Sequence, residues 1–259
     1  MGILNVTPDS FSDGGDFLSL EQALQRAAQL CQQGADIIDI GGESSRPGAT
    51  EIAVQEELDR VLPIIEGVAD RFDVAISVDT SKPVVMQHAV SAGAAMINDI
   101  YALRRDGALD VLARSDVAVC LMHMQGAPDT MQVAPRYKKL PQDVIDFLFE
   151  RVLTCSAAGI SRDRLVVDPG FGFGKNDRHN LQILSNLEQF AELGLPILVG
   201  LSRKQWLGNL TAKPVDQRAA AGIAAALAAV ERGAHIVRTH DVAGTVDALK
   251  VAIAIKQAG

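Results

Sequence analysis

The sequence predicts an α/β protein that folds as one (β/α)₈ barrel, and two observations lead to this prediction. Short apolar runs alternate with longer helical patterns along the whole chain of 259 residues, and barrels of this class usually contain about 250 residues. No proline-rich or highly charged linker interrupts the alternation, so we expect a single domain over residues 1–259. The alternative is a doubly wound open sheet, which normally has a glycine-rich phosphate loop after its first strand. Residues 5–10, which follow the first run, contain no glycine.

The predicted elements follow one another in regular order. Eight segments are short and apolar at most positions, as expected of strands that are buried on both faces. These segments are residues 2–6, 36–40, 74–78, 95–98, 117–122, 165–167, 197–199 and 235–238. The helical patterns that alternate with them are residues 19–33, 53–71, 82–92, 107–114, 141–158, 176–192, 215–232 and 242–257. Glycines of the kind that end helices precede several strands, namely Gly34, Gly93, Gly159, Gly194 and Gly233.

Composition and charge exclude several classes of protein. Hydrophobic residues make up 48% and charged residues 22% of the chain, which is typical of a globular protein with a large core. A net charge of −8 and an aromatic content of 4% argue against binding to nucleic acid or to an anionic membrane. No apolar run approaches the ~18 residues of a membrane span, and the N-terminus has no signal-peptide pattern. Cys31, Cys120 and Cys155 form no CxxC pair, so we expect free thiols and a cytoplasmic protein.

A polar or charged side chain follows every predicted strand. In a barrel the carboxyl ends of all strands lie at one face, where active sites form. The residues in question are Asn5, Glu43, Asp79, Asn98, His123, Asp168, Ser202 with Lys204, and Arg238 with His240. A single residue of this kind often only caps the next helix, but eight in succession indicate a polar pocket at the barrel mouth.

Four of these residues suit the edge of an amino-heterocycle. A carboxylate fixed at a strand end, such as Asp79 or Asp168, accepts two parallel hydrogen bonds from adjacent N–H groups. Asn98 can both donate and accept on such an edge, and Lys204 can donate to a ring carbonyl or nitrogen. The pocket is therefore expected to bind a ring with several hydrogen-bonding groups.

Other features point to an anion and to closing loops. Arg238 offers a planar face for stacking and a fork for phosphate oxygens, and His240 lies on the same side of the strand. Residues 7–15 and 41–48 are rich in glycine, proline, serine and aspartate, so they can close over a ligand. Residues 170–175 lack the spacing of a phosphate loop, and we interpret them as a tight turn beside the ligand, with phosphate binding as the alternative.

Two further features have more than one interpretation. His123 either lines the pocket or has a structural role. The alanine-rich segment 218–229 allows close helix packing, either on the barrel or across a subunit interface.

Several of these segments resemble a known family. Residues 2–15, Gly-Ile-Leu-Asn-Val-Thr-Pro-Asp-Ser-Phe-Ser-Asp-Gly-Gly, and residues 39–48, Asp-Ile-Gly-Gly-Glu-Ser-Ser-Arg-Pro-Gly, closely resemble the two signature segments of the dihydropteroate synthases. Residues 168–175, 200–204 and 238–240 are similar to later motifs of the same family. The resemblance runs in order from residue 1 to about residue 245, and it implies the same (β/α)₈ barrel.

The resemblance implies a specific reaction. In this family 4-aminobenzoate is joined to the methylene of a dihydropterin diphosphate, and the products are 7,8-dihydropteroate and diphosphate. Mg²⁺, Arg238 and His240 would neutralise the leaving diphosphate, and Asp79 would stabilise cationic character on the methylene. The arylamine would attack once the loops exclude water. We further expect the protein to be a homodimer. We also expect sulfonamides to compete with 4-aminobenzoate.

The resemblance also implies roles for individual residues. The residues expected to hold the pterin ring are Asp79, Asn98, Asp168 and Lys204, and those expected at the diphosphate are Asn5, Arg238 and His240. Asn5 is also the expected ligand of Mg²⁺, and the groups expected to take part in catalysis are Asp79, Lys204 and Arg238. The aminobenzoate slot is expected to contain Phe11 and Pro47, with Lys204 or Ser202 near the carboxylate. Ser45 stands where the family usually has threonine, and Arg46 should gain a partner only when an anion is bound.

Two rival functions use the same residues differently. A methyltetrahydrofolate-binding methyltransferase module would share the pterin carboxylates, but it has no evident need of the 44–47 loop or of the pair Arg238 and His240. A Schiff-base aldolase would use Lys204 in an apolar setting that lowers the lysine pKa. The neighbouring Arg203 and the anion site argue against the aldolase.

Overall fold

The structure, a computed structural model, describes residues 1–6, 16–44 and 48–258, and only the backbone of residues 16–19. In these ranges strands and helices alternate in the predicted order, except that two α-helices instead of one lie between the seventh and the eighth strand. The strands are β1 (Gly2–Asn5), β2 (Ile37–Gly41), β3 (Ala75–Asp79), β4 (Met96–Asp99), β5 (Ala118–Met122), β6 (Leu165–Asp168), β7 (Leu198–Gly200) and β8 (Ile236–Arg238). The α-helices are α1 (Asp16–Gln32), α2 (Val54–Arg71), α3 (Pro83–Ser91), α4 (Ala108–Ala113), α5 (Gln142–Ala157), α6 (Asp177–Ser185), α7 (Gln205–Thr211), α8 (Ala219–Glu231) and α9 (Val242–Ala258). Short 3₁₀ helices cover Arg162–Arg164, Leu187–Leu193 and Val215–Gln217.

The eight strands close into a barrel, which confirms the predicted fold class. β1 to β6 form one parallel sheet in chain order, and β7 pairs in parallel with β8. Two single bridges join these sheets: Val167 of β6 pairs with Ile197, and Gly2 of β1 pairs with Thr239. At the second seam the amide of Ile3 donates to the carbonyl of Thr239 at 3.1 Å. No open edge remains between the first and the last of these strands.

Helices around the barrel bury apolar side chains against it. In α2 the side chains of Leu58, Val61 and Ile65 are buried in the core between helix and sheet. The alanine-rich α8 buries Gly222 and Ala226 among others, so its small residues bring it close to the barrel, as one of the two interpretations expected. None of the helices in the described ranges is both long and apolar enough to cross a membrane.

The inside of the barrel is built in layers, because successive side chains of a strand point to opposite faces. An apolar layer across the interior consists of Met96, Cys120, Val166 and Leu198. Two positions later on the same strands, and therefore facing the same interior one layer higher, are Asn98, Met122, Asp168 and Gly200. The apolar layer is thus the floor of a cavity whose walls are the carboxyl ends of the strands.

Each predicted strand end lies within one residue of the observed one, but two helical predictions were wrong in detail and α7 was not predicted. The pattern over 215–232 is a 3₁₀ turn followed by α8, and the buried Arg218 lies between them and donates to the carbonyls of Lys213 and Arg203. The pattern over 176–192 is interrupted at Asn186, whose side chain donates to the carbonyl of Gln182 at 2.8 Å. At both breaks a side chain donates to a backbone carbonyl.

Candidate active site

A polar pocket opens at the carboxyl ends of the strands. Its lining consists of Asp79, Asn98, Ile100, Met122, Asp168, Phe171, Phe173, Gly200, Lys204 and Arg238. Five of these are among the strand-end residues singled out from the sequence, and four of the five were expected to hold one ring. The structure therefore brings Asp79, Asn98, Asp168, Lys204 and Arg238 together around one cavity.

The strand register sets the level of the first three polar groups. Asn5 pairs with Gly41, Gly41 with Asp79, and Asp79 with Asn98. A Cβ at Gly41 would lie 3.8 Å from Oδ1 of Asn5 and 3.9 Å from Oδ2 of Asp79. The missing side chain of Gly41 therefore leaves open space between these two oxygens at the rim of the pocket.

Arg238 is held by two carboxylates. Its Nε donates to Oδ2 of Asp39, and one terminal nitrogen donates to Oδ2 of Asp79 at 2.8 Å. Asp39 is completely buried inside the barrel, and it also accepts hydrogen bonds from Oγ of Ser77 at 2.6 Å and from Nδ2 of Asn98 at 3.3 Å. Asp39 thus fixes two pocket residues from below, a role that the sequence analysis missed.

Burial shifts the protonation of the pocket residues. It raises the pKa of Asp79 to about 7, with Arg238 acting in the opposite direction and Asp39 adding to the increase. Burial also raises the pKa of Asp168, although the amide of Gly170 donates to its Oδ1 at 2.7 Å. Burial alone would lower the pKa of Arg238, but Asp39 and Asp79 raise it, so the guanidinium stays charged.

Lys204 lines the same pocket as these groups. Its ammonium is 4.3 Å from the centre of the Phe173 ring, a cation–π distance. Burial lowers the pKa of Lys204 to about 8, while the charge of Asp168 acts in the opposite direction. Near neutral pH most of this lysine is protonated and can donate to a ligand.

His240 and Ser202 form a separate pair beside the pocket. Nδ1 of His240 is 3.0 Å from Oγ of Ser202, which also accepts from the backbone amide of His240 at 3.2 Å. Burial, together with the charges of Arg238 and Arg203, lowers the pKa of His240 to about 3. With this pKa the His240 ring carries no charge near neutral pH, and its contact with the diphosphate stays a prediction.

Two strand-end residues have their polar groups engaged elsewhere. Glu43 forms an ion pair with the buried Lys82, which also binds Glu57 at 2.6 Å. Nδ1 of His123 is 2.8 Å from the ammonium of Lys175. Of the two interpretations of His123, the structural one agrees with this contact. Lys175 itself is buried, so the phosphate-loop alternative for residues 170–175 has no support.

Several predicted site residues lie outside the described part of the chain. These are Phe11, Ser45, Arg46 and Pro47, and with them all of the loop at residues 7–15 and residues 45–47 of the loop at 41–48. Their placement in an aminobenzoate slot stays a prediction.

Asn5 is the predicted metal ligand, and its surroundings suit one kind of ion. Within residues 1–6, 16–44 and 48–258 no three histidine, cysteine, aspartate or glutamate side chains form a metal site by themselves. Mg²⁺ often uses only one or two protein oxygens and completes its shell with water and substrate phosphates. The amide oxygen of Asn5, beside the open space at Gly41, fits an ion that is carried by a phosphate ligand.

Comparisons with known proteins point to one family. Residues 1–240 match the family model described as pterin binding enzyme. The dihydropteroate synthase of Haemophilus influenzae is 53% identical over 251 residues, which cover 97% of this chain and 91% of the relative.

Solved structures agree as well. The crystal structure of the Yersinia pestis dihydropteroate synthase with a sulfonamide drug has a TM-score of 0.95 and 51% identity, and the match covers 99% of this chain and 94% of that one. The dihydropteroate synthase of Xanthomonas albilineans in complex with 7,8-dihydropteroate has a TM-score of 0.91 and 49% identity, over 99% and 92% of the two chains. A barrel with a polar mouth, a family model that spans most of the chain and relatives at this level of identity lead to one conclusion: the chain belongs to the pterin-binding enzymes and, within them, to the dihydropteroate synthases, which are transferases.

Proposed function

We propose that this protein condenses (7,8-dihydropterin-6-yl)methyl diphosphate with 4-aminobenzoate, giving 7,8-dihydropteroate and diphosphate for folate synthesis. The observation that carries the proposal is the pocket itself. Asp79, Asn98, Asp168 and Lys204 present acceptors and donors to one cavity, and Arg238 brings a fixed positive charge to its edge. A pterin ring has matching donors and acceptors, and its diphosphate needs the cation.

The pterin ring is assigned to the polar walls. The carboxylate of Asp168 is fixed by the Gly170 amide and can accept from the amino group and ring N–H of a pterin. Asn98 is fixed through Asp39 and can pair with the opposite edge of the ring. Lys204, held against the Phe173 ring, donates to a ring carbonyl or nitrogen. These groups are already ordered, so ring binding requires little rearrangement.

The diphosphate is assigned to Arg238, Asn5 and His240. Asp39 and Asp79 engage Nε and one terminal nitrogen of Arg238, and the described residues leave the other terminal nitrogen for phosphate oxygens. The neutral His240 can add a hydrogen bond from the ring nitrogen that does not face Ser202. Mg²⁺, held by Asn5 together with the phosphates, supplies further charge neutralisation when it is bound.

The reaction then follows from where the charges lie. The bond between the methylene carbon and the diphosphate oxygen breaks, and its electron pair leaves with diphosphate, which Arg238 stabilises. The methylene gains cationic character, which the Asp79 carboxylate stabilises when it is ionised. The arylamine nitrogen attacks the carbon, and its extra proton is lost afterwards. A neutral arylamine is nucleophilic enough that this step needs no strong general base.

The second substrate is assigned to a slot formed by the two loops. Phe11 and Pro47 would flank the aminobenzoate ring, and the hydroxyl of Ser45 and the charge of Arg46 would complete the slot. Lys204 or Ser202 would lie near the carboxylate. Sulfonamides, which have the shape of 4-aminobenzoate, would compete for the same slot.

We further propose that the protein is a cytoplasmic homodimer. All three cysteines are free, as expected in a reducing compartment. Apolar side chains in the last turns of α9 are exposed to solvent, and Val251, Ile253 and Ile255 each have an exposed fraction of 51% or more. A second subunit would cover such apolar groups. Light scattering during size-exclusion chromatography tests this: a mass of one chain contradicts the dimer.

A diphosphate-release assay with both substrates tests the proposed function. We expect release that depends on both substrates and on Mg²⁺, with formation of dihydropteroate. Arg238→Lys keeps the charge but loses the planar fork, and it should reduce turnover strongly, whereas Arg178→Lys at an exposed position of α6 should not. Turnover that is insensitive to EDTA and to Arg238→Lys would show that the diphosphate is held elsewhere. Product-free binding of methyltetrahydrofolate would favour the methyltransferase alternative.

A further inference from the structure

The turn after β6 packs backbone against backbone on the loop after β5. A Cβ at Gly170 would collide with the carbonyl oxygen of His123, and one at Gly174 would collide with the carbonyl of Gln125. Both glycines also have positive φ, at 70° and 61°. The turn is therefore pressed tightly against its neighbour, but such close contact between backbones needs polar groups to hold it.

Lys175 supplies the central attachment. Its ammonium is 2.9 Å from the carbonyl oxygen of Gly170, 3.0 Å from that of Phe173 and 2.8 Å from Nδ1 of His123. A fourth contact, to the carbonyl oxygen of His123, is 3.3 Å long. An ammonium has three protons, so three strong acceptors satisfy it. Lys175 thus ties both ends of the turn to the neighbouring loop.

This lysine is unusual because it is buried without a carboxylate partner. It is 2% exposed, and none of the ion pairs in the described ranges includes it. Burial lowers its pKa well below the ordinary value, while Asp168 acts in the opposite direction. A buried amine of this kind costs folding free energy unless it is fully hydrogen-bonded. Its burial beside the pocket therefore calls for a functional explanation.

The turn that Lys175 holds forms one wall of the pocket. Phe171 and Phe173 line the cavity, and the amide of Gly170 fixes Asp168. A Cβ at Gly172 would lie 3.1 Å from Cδ of Lys204, so the turn also supports that side chain. A displacement of the turn would move an acceptor, a donor and an aromatic face of the pocket at once.

We propose that Lys175, together with His123, is a positioning residue for pterin binding: it clamps the 170–174 turn so that Asp168, Phe173 and Lys204 meet the ring in the right place. This inference rests on the proposed function. Lys175 does not reach the cavity and acts only through the turn.

Pterin binding to Lys175→Ala tests the inference, with 6-hydroxymethyl-7,8-dihydropterin as the ligand in calorimetric titration. We expect the affinity to fall by about tenfold or more, because two hydrogen bonds to the turn and the contacts to His123 are lost. n-Propylammonium has the shape and charge of the removed part of the side chain, and it should restore much of the affinity. n-Propanol, which fills the same space with one donor, should not. Equal rescue by propanol would show that only packing matters and would overturn the proposal.

Two further variants keep the test decisive if Lys175→Ala does not fold. His123→Leu removes the ring acceptor and leaves the three backbone carbonyl contacts, so we expect a smaller loss of pterin affinity with an unchanged far-ultraviolet circular dichroism spectrum. Unchanged affinity in His123→Leu would overturn the role of the pair. Lys139→Ala, at an exposed position of the same loop, should bind pterin normally, and an equal loss there would also overturn the proposal. Wild-type protein that does not bind the pterin would contradict the proposed function itself.

Discussion

The meeting of individual strand-end side chains in one pocket could be predicted, because the strand register places them at similar heights along the barrel axis. Asp79, Asn98 and Asp168 end buried strands and therefore meet in one cavity. Asp39 was missed because it lies within a strand, where the apolar pattern draws attention to its neighbours. The sequence feature that could have identified Asp39 is its spacing: it lies two positions before Gly41 and therefore on the same inward face of β2. The hydrogen-bond partners of the His123 and His240 rings could not be predicted, since they depend on contacts between loops.

Asp168→Asn is expected to weaken pterin binding far more than it affects folding. One carboxylate oxygen becomes an NH₂ group that faces donors on the ring, and the loss should cost about 2–4 kcal/mol of binding free energy. Calorimetric titration with a dihydropterin measures the effect, and Asp163→Asn at an exposed position serves as the control. Near-normal affinity of Asp168→Asn would rule out this residue as the anchor of the ring.

The pH dependence of the reaction is expected to report the charge of Lys204. Its pKa of about 8 in the free protein means that the ammonium is present below this pH and is lost above it. kcat/KM for the pterin diphosphate, which reports groups of the free enzyme, should therefore fall as the pH rises through about 8. Lys204→Arg, whose guanidinium does not titrate in this range, should lack this alkaline decline even if its activity is lower. A decline that persists unchanged in Lys204→Arg assigns it to another group.

At the scale of elements, the strands were easier to predict than the helices. Each strand is a short apolar run between turn residues, so its limits are marked in the sequence. The 215–232 segment looked like one helix because alanine-rich and polar residues continue across it. The buried Arg218 lies at the break and donates to the backbone carbonyls of Lys213 and Arg203. Hydrogen bonds of this kind leave no periodic pattern in the sequence. α7 is only seven residues long, too short for its spacing to stand out.

The two loops are expected to act as one element that assembles after the pterin diphosphate binds. Binding should therefore be ordered, with the pterin first and 4-aminobenzoate second, because Arg46 and the loop amides gain their partner only from the anion. Phe11→Ala and Pro47→Ala should weaken binding of aminobenzoate and sulfonamide, and pterin affinity should hardly change. Titrations with and without pterin and diphosphate check both points. Tight sulfonamide binding to the free protein contradicts the order, and equal loss of pterin affinity contradicts the separate slot.

In the whole molecule, the closed ring of strands means that the two halves of the chain stabilise each other's folded structure. The seam between β8 and β1 joins residues more than 200 positions apart through a bridge between Gly2 and Thr239. Length and alternation predicted this closure, together with the absence of a glycine-rich loop after the first strand, which argued against an open doubly wound sheet. That the chain is one domain stays a prediction. The number of unfolding transitions tests it.

Calorimetry is expected to show one unfolding transition that shifts as a unit when the pterin binds. A ligand at one hundred times its Kd stabilises the folded state by about 2.7 kcal/mol, and in a single domain this stabilisation applies to the whole transition. A sulfonamide added alone should leave the transition where it is. A second transition that does not respond to the pterin would show that part of the chain folds independently.

The inward glycines of β2 and β7 have a consequence for how such a pocket could be reshaped. Around the upper layer of the barrel most strands contribute a side chain, but Gly41 and Gly200 contribute none, so the cavity owes part of its depth to two absent side chains. A Cβ at Gly200 would meet no atom within 4 Å, and its φ lies outside the left-handed region. Gly200→Ala should therefore fold as well as the original chain while it narrows the cavity. Ligand selectivity and structural stability are separable at this position, which makes residue 200 a place where evolution or design can change what the barrel accepts without rebuilding it.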